Sequence, residues 1–131
     1  MLVEIKTIKT DITNLQQHQT TQDLTITRTT NSYVNATNVA LLKAARKDGM
    51  LWFNGNINLS SAVPNGTGLT EIAQISGWSS AYTISTTMAG QTGGGAILVT
   101  INTTGSVQIA NGSGASATGF HRCPMVTPAN N

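Results

Sequence analysis

The start of the chain carries apolar side chains in a seven-residue rhythm. With heptad position a at Ile5 and position d at Ile8, the same two positions of the next heptad hold Ile12 and Leu15, and charged or amide residues lie between them. Isoleucine at a with mixed isoleucine and leucine at d favours coiled coils of more than two strands. The pattern therefore predicts a helical stalk that associates with its own copies, as a homotrimer.

Further along, the rhythm continues with amides. Position a becomes Gln19 and then Ile26, and position d becomes Gln22. Two glutamines buried in one chain would each need several partners from that chain, whereas on a symmetry axis each can bond to its own copies. We therefore predict a trimer seam of Ile5, Ile8, Ile12, Leu15, Gln19, Gln22 and Ile26. An amphipathic helix packed on its own domain is the alternative.

A second short helix is predicted in "NATNVALLKAARKDG", residues 35–49. Thr37 or Asn38 can cap its start, basic residues near its end complement the helix dipole, and Gly49 can terminate it. Residues 1–49 are accordingly predicted to form a helical stalk.

From Met50 onward, short runs rich in β-branched residues alternate with Gly-containing turns, which is typical of an antiparallel sandwich or barrel. The clearest hairpin is "AILVTINTTGSVQIA", with its turn at Thr103, Thr104 and Gly105. One face of this hairpin is predicted to hold Ile97, Val99, Ile101, Val107 and Ile109. The predicted fold is thus mainly β: a coiled-coil stalk at 1–49 and an antiparallel β-sandwich or barrel head at 50–131.

Charge and cysteine content narrow the class of protein. Only 9% of residues are charged, and beyond Lys47 the charged residues are Asp48, Glu71 and Arg122. The basic cluster that ends at Lys47 is short and lacks interleaved aromatics, so we expect no nucleic-acid partner. A single cysteine excludes an internal disulfide, and no signal-like or membrane-length apolar run is present. We expect a soluble protein made in a reducing cytosol, with no membrane insertion.

Catalytic motifs are weak throughout. A glycosidase generally needs two facing carboxyl groups, and the head offers Asp48 at its border and Glu71. "GWSSA" is one glycine short of a nucleophile elbow, and the glycines at 93–95 lack the lysine of a phosphate loop. His121 and Cys123 make a weak metal signal. We therefore expect that the protein is not an enzyme and that it binds no cofactor and no metal.

Four residues of the head could recognise a saccharide. Trp78 lies in a turn-like setting, Tyr82 follows closely, and His121 and Arg122 are adjacent after a Gly/Ser-rich loop. Aromatic faces stack on sugar rings, and polar side chains bond to hydroxyls. The alternative is that Trp78 covers a core edge and Arg122 is simply a solvated strand residue. Trp52, in "MLWF" at the stalk–head junction, is expected to serve packing.

The segments "LTEIAQISGW" and "GGGAILVTINTTGSVQIANGSGA" resemble the C-terminal receptor-binding tips of phage tail and baseplate proteins. Within them, Ile101 to Ile109 has the form I-N-T-x-G-x-V-x-I that is common in such tips. A coiled coil before the head is similar to the helical shoulder of baseplate adhesins from phages of lactococci and related Gram-positive hosts. The chain departs from that pattern in its scarcity of acidic residues.

The resemblance implies a virion protein of the tail tip or baseplate, made in the host cytoplasm. It also implies a homotrimer that joins other tail or baseplate proteins through its stalk and binds host cell-wall or cell-surface polysaccharides. Shallow sites near subunit boundaries would then include Trp78, Tyr82, His121 and Arg122. The alternative function is a structural fibre or baseplate module without its own ligand site. That module needs no exposed aromatic residue, so the burial of Trp78 discriminates between the two.

Overall fold

The computed structural model describes residues 2–19, 21–35, 37, 41–90, 95–122 and 125–128. Its elements are one α-helix and a series of antiparallel strands. They are α1 (Leu2–Gln19), β1 (Gln22–Leu24), β2 (Ile26–Arg28), β3 (Leu42–Lys47), β4 (Met50–Val63), β5 (Thr67–Ile75), β6 (Ile84–Ala89), β7 (Ala96–Ile101), β8 (Ser106–Asn111), β9 (Ala117–Arg122) and β10 (Met125–Pro128).

The strands form two five-stranded sheets. The first has the order β1-β3-β4-β10, and β9 pairs with the far half of the long strand β4. The second has the order β2-β5-β8-β7-β6. The predicted mainly β, antiparallel architecture is therefore confirmed, although the sheets begin at Gln22 rather than at Met50.

The inner faces of the two sheets share one hydrophobic core. The first sheet contributes Leu51, Phe53 and Ile57, and the second contributes the five residues predicted for one face of the β7–β8 hairpin. All five are at most 1% exposed, and the backbone amide of Gly105 donates to Asn102 in the turn between the strands. The prediction of this hairpin, its turn and its buried face is confirmed.

The two sheets are also joined at their edges. The chain passes directly from β1 in the first sheet to β2 in the second through Thr25. On the other side, Gly90 just after β6 forms an isolated antiparallel bridge with His121 of β9. These two links join the sheets at their edges, where an open sandwich would leave the backbone groups of edge strands unpaired.

The predicted second helix is wrong for residues 42–47, which form β3; residues 36 and 38–40 lie outside the described part of the chain. Asp48 and Gly49 have φ angles of 53° and 71°, and they connect β3 to β4 in register, with Lys47 opposite Met50. Two successive residues at positive φ are the requirement of a tight hairpin turn, and Asp-Gly is among its preferred sequences. Gly49 therefore belongs to a hairpin turn and does not end a helix.

The predicted seam is also too long. The helix ends at Gln19, whereas Gln22 lies in β1 and Ile26 in β2, where Ile26 packs partly buried against the core. The residues after the helix include many threonines, whose β-branched side chains favour strand. Gln22 and Ile26 are therefore strand residues, and the heptad pattern has structural meaning only within α1.

Helix α1 does not pack on the β-sheets. Every side chain from Val3 to Gln16 is exposed, and the apolar seam residues Ile5, Ile8, Ile12 and Leu15 are 44–63% exposed. The hydroxyls of Thr7, Thr10 and Thr13 donate to the carbonyls four residues earlier, away from the seam positions. The alternative of a helix packed on its own domain is therefore wrong.

Glu71 connects three neighbouring strands of the second sheet. One carboxylate oxygen accepts a hydrogen bond from Thr29 Oγ1, next to β2, and the other accepts from Ser106 Oγ on β8. The bond from Ser106, followed by the bond from Thr29, holds the pKa of Glu71 below its ordinary value of 4.5, and partial desolvation opposes this shift.

A depressed folded-state pKa makes this contribution to stability pH-dependent. It is present above about pH 4.5, the ordinary value, and is lost as pH falls through the lower folded-state pKa. We expect Ser106→Ala, which removes one donor, to flatten the fall of unfolding free energy with acidity below pH 4.5. Urea unfolding at a series of pH values measures this. Ser85→Ala is the matched control, because that hydroxyl bonds to Thr100 instead; equal flattening in both variants would contradict the assignment.

Candidate functional site

Trp78, a candidate saccharide-binding residue whose alternative role was to cover an edge of the core, is buried. Its side chain is 3% exposed and belongs to the core, and the Arg46 guanidinium carbon lies 5.8 Å from the centroid of its ring. Arg46 also donates to the carbonyl oxygen of Gly77, which precedes the tryptophan. The loop after β5 thus folds its aromatic ring inward as a cover over the end of the core, so Trp78 cannot present a face to a sugar.

His121 is fully buried as well. Its Nδ1 lies 3.2 Å from the carbonyl oxygen of Gly119, and its Nε2 has no hydrogen-bond partner among the described residues. Burial lowers the pKa of His121 below 6.5, with the Gly119 hydrogen bond acting in the opposite direction. The side chain is inside the protein beside the Gly90 bridge, where no saccharide can reach it.

Tyr82 and Arg122 are exposed, but they do not form one site. Tyr82 is 68% exposed and lies two residues before β6, whereas the far end of β6 reaches Gly90, which pairs with the residue next to Arg122. The extended chain from Ile84 to Gly90 alone spans roughly 20 Å. The four predicted residues are therefore not assembled into one surface. Cys123, the other half of the weak metal pair, lies outside the described residues.

Trp52, expected to serve packing, is the exposed tryptophan. It is 52% exposed and lies on the outer face of β4, between the inward-facing Leu51 and Phe53. Strand alternation puts Asn54 on the same outer face. The exposed tryptophan is therefore Trp52, and the buried one is Trp78.

The neighbours of Trp52 on β3 are set by the register of the hairpin. Ala45 pairs with Trp52, Lys43 pairs with Asn54, and Lys47 lies two residues from Ala45 on the other side. On the next strand, Asp23 pairs with Ala45. Ala45 therefore lies between Trp52 and the edge strand β1, and on its other side Trp52 pairs with Val126 of β10.

Two clefts meet at this point, and Ala45 and Trp52 line both of them. The larger, of about 610 Å³, also includes Asp23, Lys43 and Asn54, and it extends toward apolar residues at the crossing between the sheets: Leu24, Ile26, Leu42 and Ala44. The smaller, of about 320 Å³, includes Thr21 and Lys47. The larger volume is in the range of small-molecule sites, with an aromatic surface and a few polar groups around it.

The sequence contains a signal for this surface that the helix prediction obscured. Asp48-Gly49 is a strong hairpin signal, and a two-residue turn fixes which residues of the flanking strands lie opposite each other. With Leu51 and Phe53 facing the core, alternation places Trp52 outside together with the lysines of β3. A hairpin at residues 42–54 therefore predicts that Trp52 is exposed.

Comparison with models of protein families, with curated protein sequences and with solved structures finds no match.

Two further features are relevant to ligands and membranes. Among the described residues, no three His, Cys, Asp or Glu side chains lie close enough together to hold a metal ion. The described helix is not long and apolar enough to span a membrane.

The two tryptophans should respond differently to truncation. We expect Trp78→Ala to lower the free energy of unfolding by about 3–5 kcal/mol, since it leaves a cavity in the core. We expect Trp52→Ala, the matched surface change, to alter it by no more than about 0.5 kcal/mol. Urea unfolding at one fixed protein concentration measures both, and similar losses in the two variants would contradict the assignment of inside and outside.

Proposed function

We propose that this protein is a non-enzymatic, homotrimeric receptor-binding protein of a phage tail or baseplate. It attaches the virion to saccharides on the host cell surface, and its helix joins it to other tail or baseplate proteins. The observation that carries the proposal is helix α1, whose heptad positions present isoleucine and leucine to solvent with no cover from the chain's own sheets.

Association with other chains would give helix α1 the packing contacts that it lacks within its own chain. Eighteen residues make a helix about 27 Å long, and such helices are marginal in water without tertiary packing. Each fully buried leucine or isoleucine contributes about 1.5–3 kcal/mol. Four such side chains from each of three chains stabilise a short bundle, and their heptad positions favour more than two strands.

The β-sheets supply the part that a tail protein presents to a cell. β1 begins three residues after the helix ends, so the sheets of each chain are held close to the trimer axis. Three copies give three equivalent surfaces, and several trimers on one particle multiply weak contacts into firm attachment.

The state of the acidic residues supports the absence of catalysis. Glu71 is the one carboxylate between Met50 and Asn131, and both of its oxygens accept hydrogen bonds from hydroxyls. Asp48 lies in the hairpin turn. A pair of facing carboxyl groups, which glycoside hydrolysis generally requires, is not found among the described residues of the sheets.

A structural fibre or baseplate module is the second candidate function, and the burial of Trp78 favours it. The exposure of Trp52 favours receptor binding, because it provides the open aromatic surface that Trp78 does not. The attachment function therefore remains our proposal, with its aromatic contact at a different residue.

The trimer is tested by changing the seam and the opposite face of the same helix. The chain has a mass of 13.7 kDa, and we expect light scattering to give about three times that value. Ile8→Glu combined with Ile12→Glu should reduce the mass to that of one chain, because it puts charges in the seam. Thr7→Glu combined with Thr10→Glu adds the same charge outside the seam and should leave the trimer intact.

Attachment is tested separately, on an array of bacterial cell-surface polysaccharides. We expect the wild-type trimer to be retained on a subset of them and the seam variant to be retained less, because it is monovalent. A trimer that is retained on none would overturn receptor binding in favour of the structural module. A single-chain wild-type mass would overturn the trimer itself.

A further inference from the structure

We propose that the paired clefts around Trp52 are the saccharide site of this protein, and that they select a sugar carrying an anionic group. This inference rests on the proposed attachment function and assigns that function a place in the fold. The five residues that we assign to the Trp52 site are Asp23, Lys43, Lys47, Trp52 and Asn54.

The tryptophan offers a stacking surface that is open on its β3 side; on the other side Trp52 pairs with Val126 of β10. Its side chain is half exposed on a flat strand face, and the residue paired with it on β3 is Ala45, whose side chain is a single methyl group. A larger residue at position 45 would narrow both clefts, since Ala45 lines each of them. The indole is thus a platform with space beside it for one sugar ring.

Charged groups lie on both sides of the platform. Lys43 and Lys47 are exposed, and they are at positions two residues before and two residues after Ala45, on the same face of β3. Asp23 lies across from Ala45 on β1. Two lysines and one aspartate give the Trp52 site a net formal charge of +1, which favours a ligand with a negative group.

The remaining polar group can bind hydroxyls. The amide of Asn54 offers both donors and an acceptor beside Lys43, and the carboxylate of Asp23 accepts from sugar hydroxyls on the other side. A sugar ring can give each of these groups a partner: its hydroxyls bond to Asn54 and Asp23, and its anionic substituent pairs with a lysine.

A second copy of the chain is a poorer occupant for this surface. The cores of protein–protein interfaces are depleted in lysine and aspartate, and an exposed cluster of three such charges around one aromatic ring is the reverse of that composition. The uncovered apolar surface that calls for a sister chain is on α1 instead. We therefore assign self-association to the helix and ligand binding to the Trp52 site.

The test uses the two tryptophans as internal reporters. With one tryptophan exposed and one buried, the wild-type trimer is titrated with glucose, glucuronic acid and glucose 6-phosphate while the two indole N–H signals are followed by NMR. We expect the Trp52 signal to shift and the Trp78 signal to stay. The two acids should bind more tightly than glucose, and comparing them separates a carboxylate from a phosphate preference.

Charge variants then distinguish a direct contact between Lys43 and the acidic group from a general effect of the protein's net positive charge. Lys43→Gln should weaken binding of the acids by about threefold, in the range of an exposed ion pair, and leave glucose unchanged. Lys6→Gln removes the same charge from the helix and should change neither. An equal loss in both lysine variants, or no shift of Trp52 with any of the three sugars, would overturn the assignment.

The site and the function can fail independently. On the polysaccharide array, Trp52→Ala should lose retention while light scattering still gives the trimer mass. If Trp52→Ala is retained like wild type, the attachment function stands and the Trp52 site is wrong. If Trp52→Ala loses the trimer mass, the surface is an interface between chains, and our assignment is overturned.

Discussion

The alternation of β3 and β4 across their tight turn is the constraint on which the rest of the structure depends. Asp48 and Gly49 adopt positive φ angles that leave no freedom in the pairing of the strands they connect. Once Leu51 and Phe53 enter the core, Trp52 and Asn54 must face outward, and the lysines of β3 must lie beside them. A shift by one residue would bury the charged set and expose the core. The register of this hairpin therefore determines both which residues enter the core and which residues form the outer surface around Trp52.

Much of the fold could be predicted from the local sequence. The β7–β8 hairpin combines strict alternation with a Gly-containing turn, so its strands, turn and buried face agree between sequence and structure. The first heptads also led correctly to a helix, because Ile5 to Leu15 keep one period without interruption. The two strands of the hairpin are neighbours in sequence as well as in space, and the side chains of α1 from Val3 to Gln16 are exposed, so neither element depends on a distant part of the chain.

The errors arose where distant parts of the chain decide the outcome. "ALLKAARK" has good helix propensity, yet residues 42–47 pair with β4 and β1, and this pairing overrides local preference. Trp78 looked exposed because its neighbours are Gly and Ser, and it is buried because the loop folds back beneath Arg46. His121 is inside because β9 crosses to meet Gly90. These contacts of Trp78 and His121 join residues far apart in sequence, so the local sequence around each side chain could not predict them.

The separation of faces in the β3–β4 hairpin also has a consequence for how such a chain can diverge. Positions 43, 45, 47, 52 and 54 share a solvent-facing surface, whereas the intervening positions 42, 44, 51 and 53 are buried in the core. Surface substitutions away from special features change stability little, whereas core substitutions are costly. Replacement of lysine, alanine or asparagine at the outer positions therefore alters what the surface can hold while the scaffold persists. A lineage that carries this hairpin can therefore change the chemistry of one surface by drift at a few outward-facing codons without losing the fold.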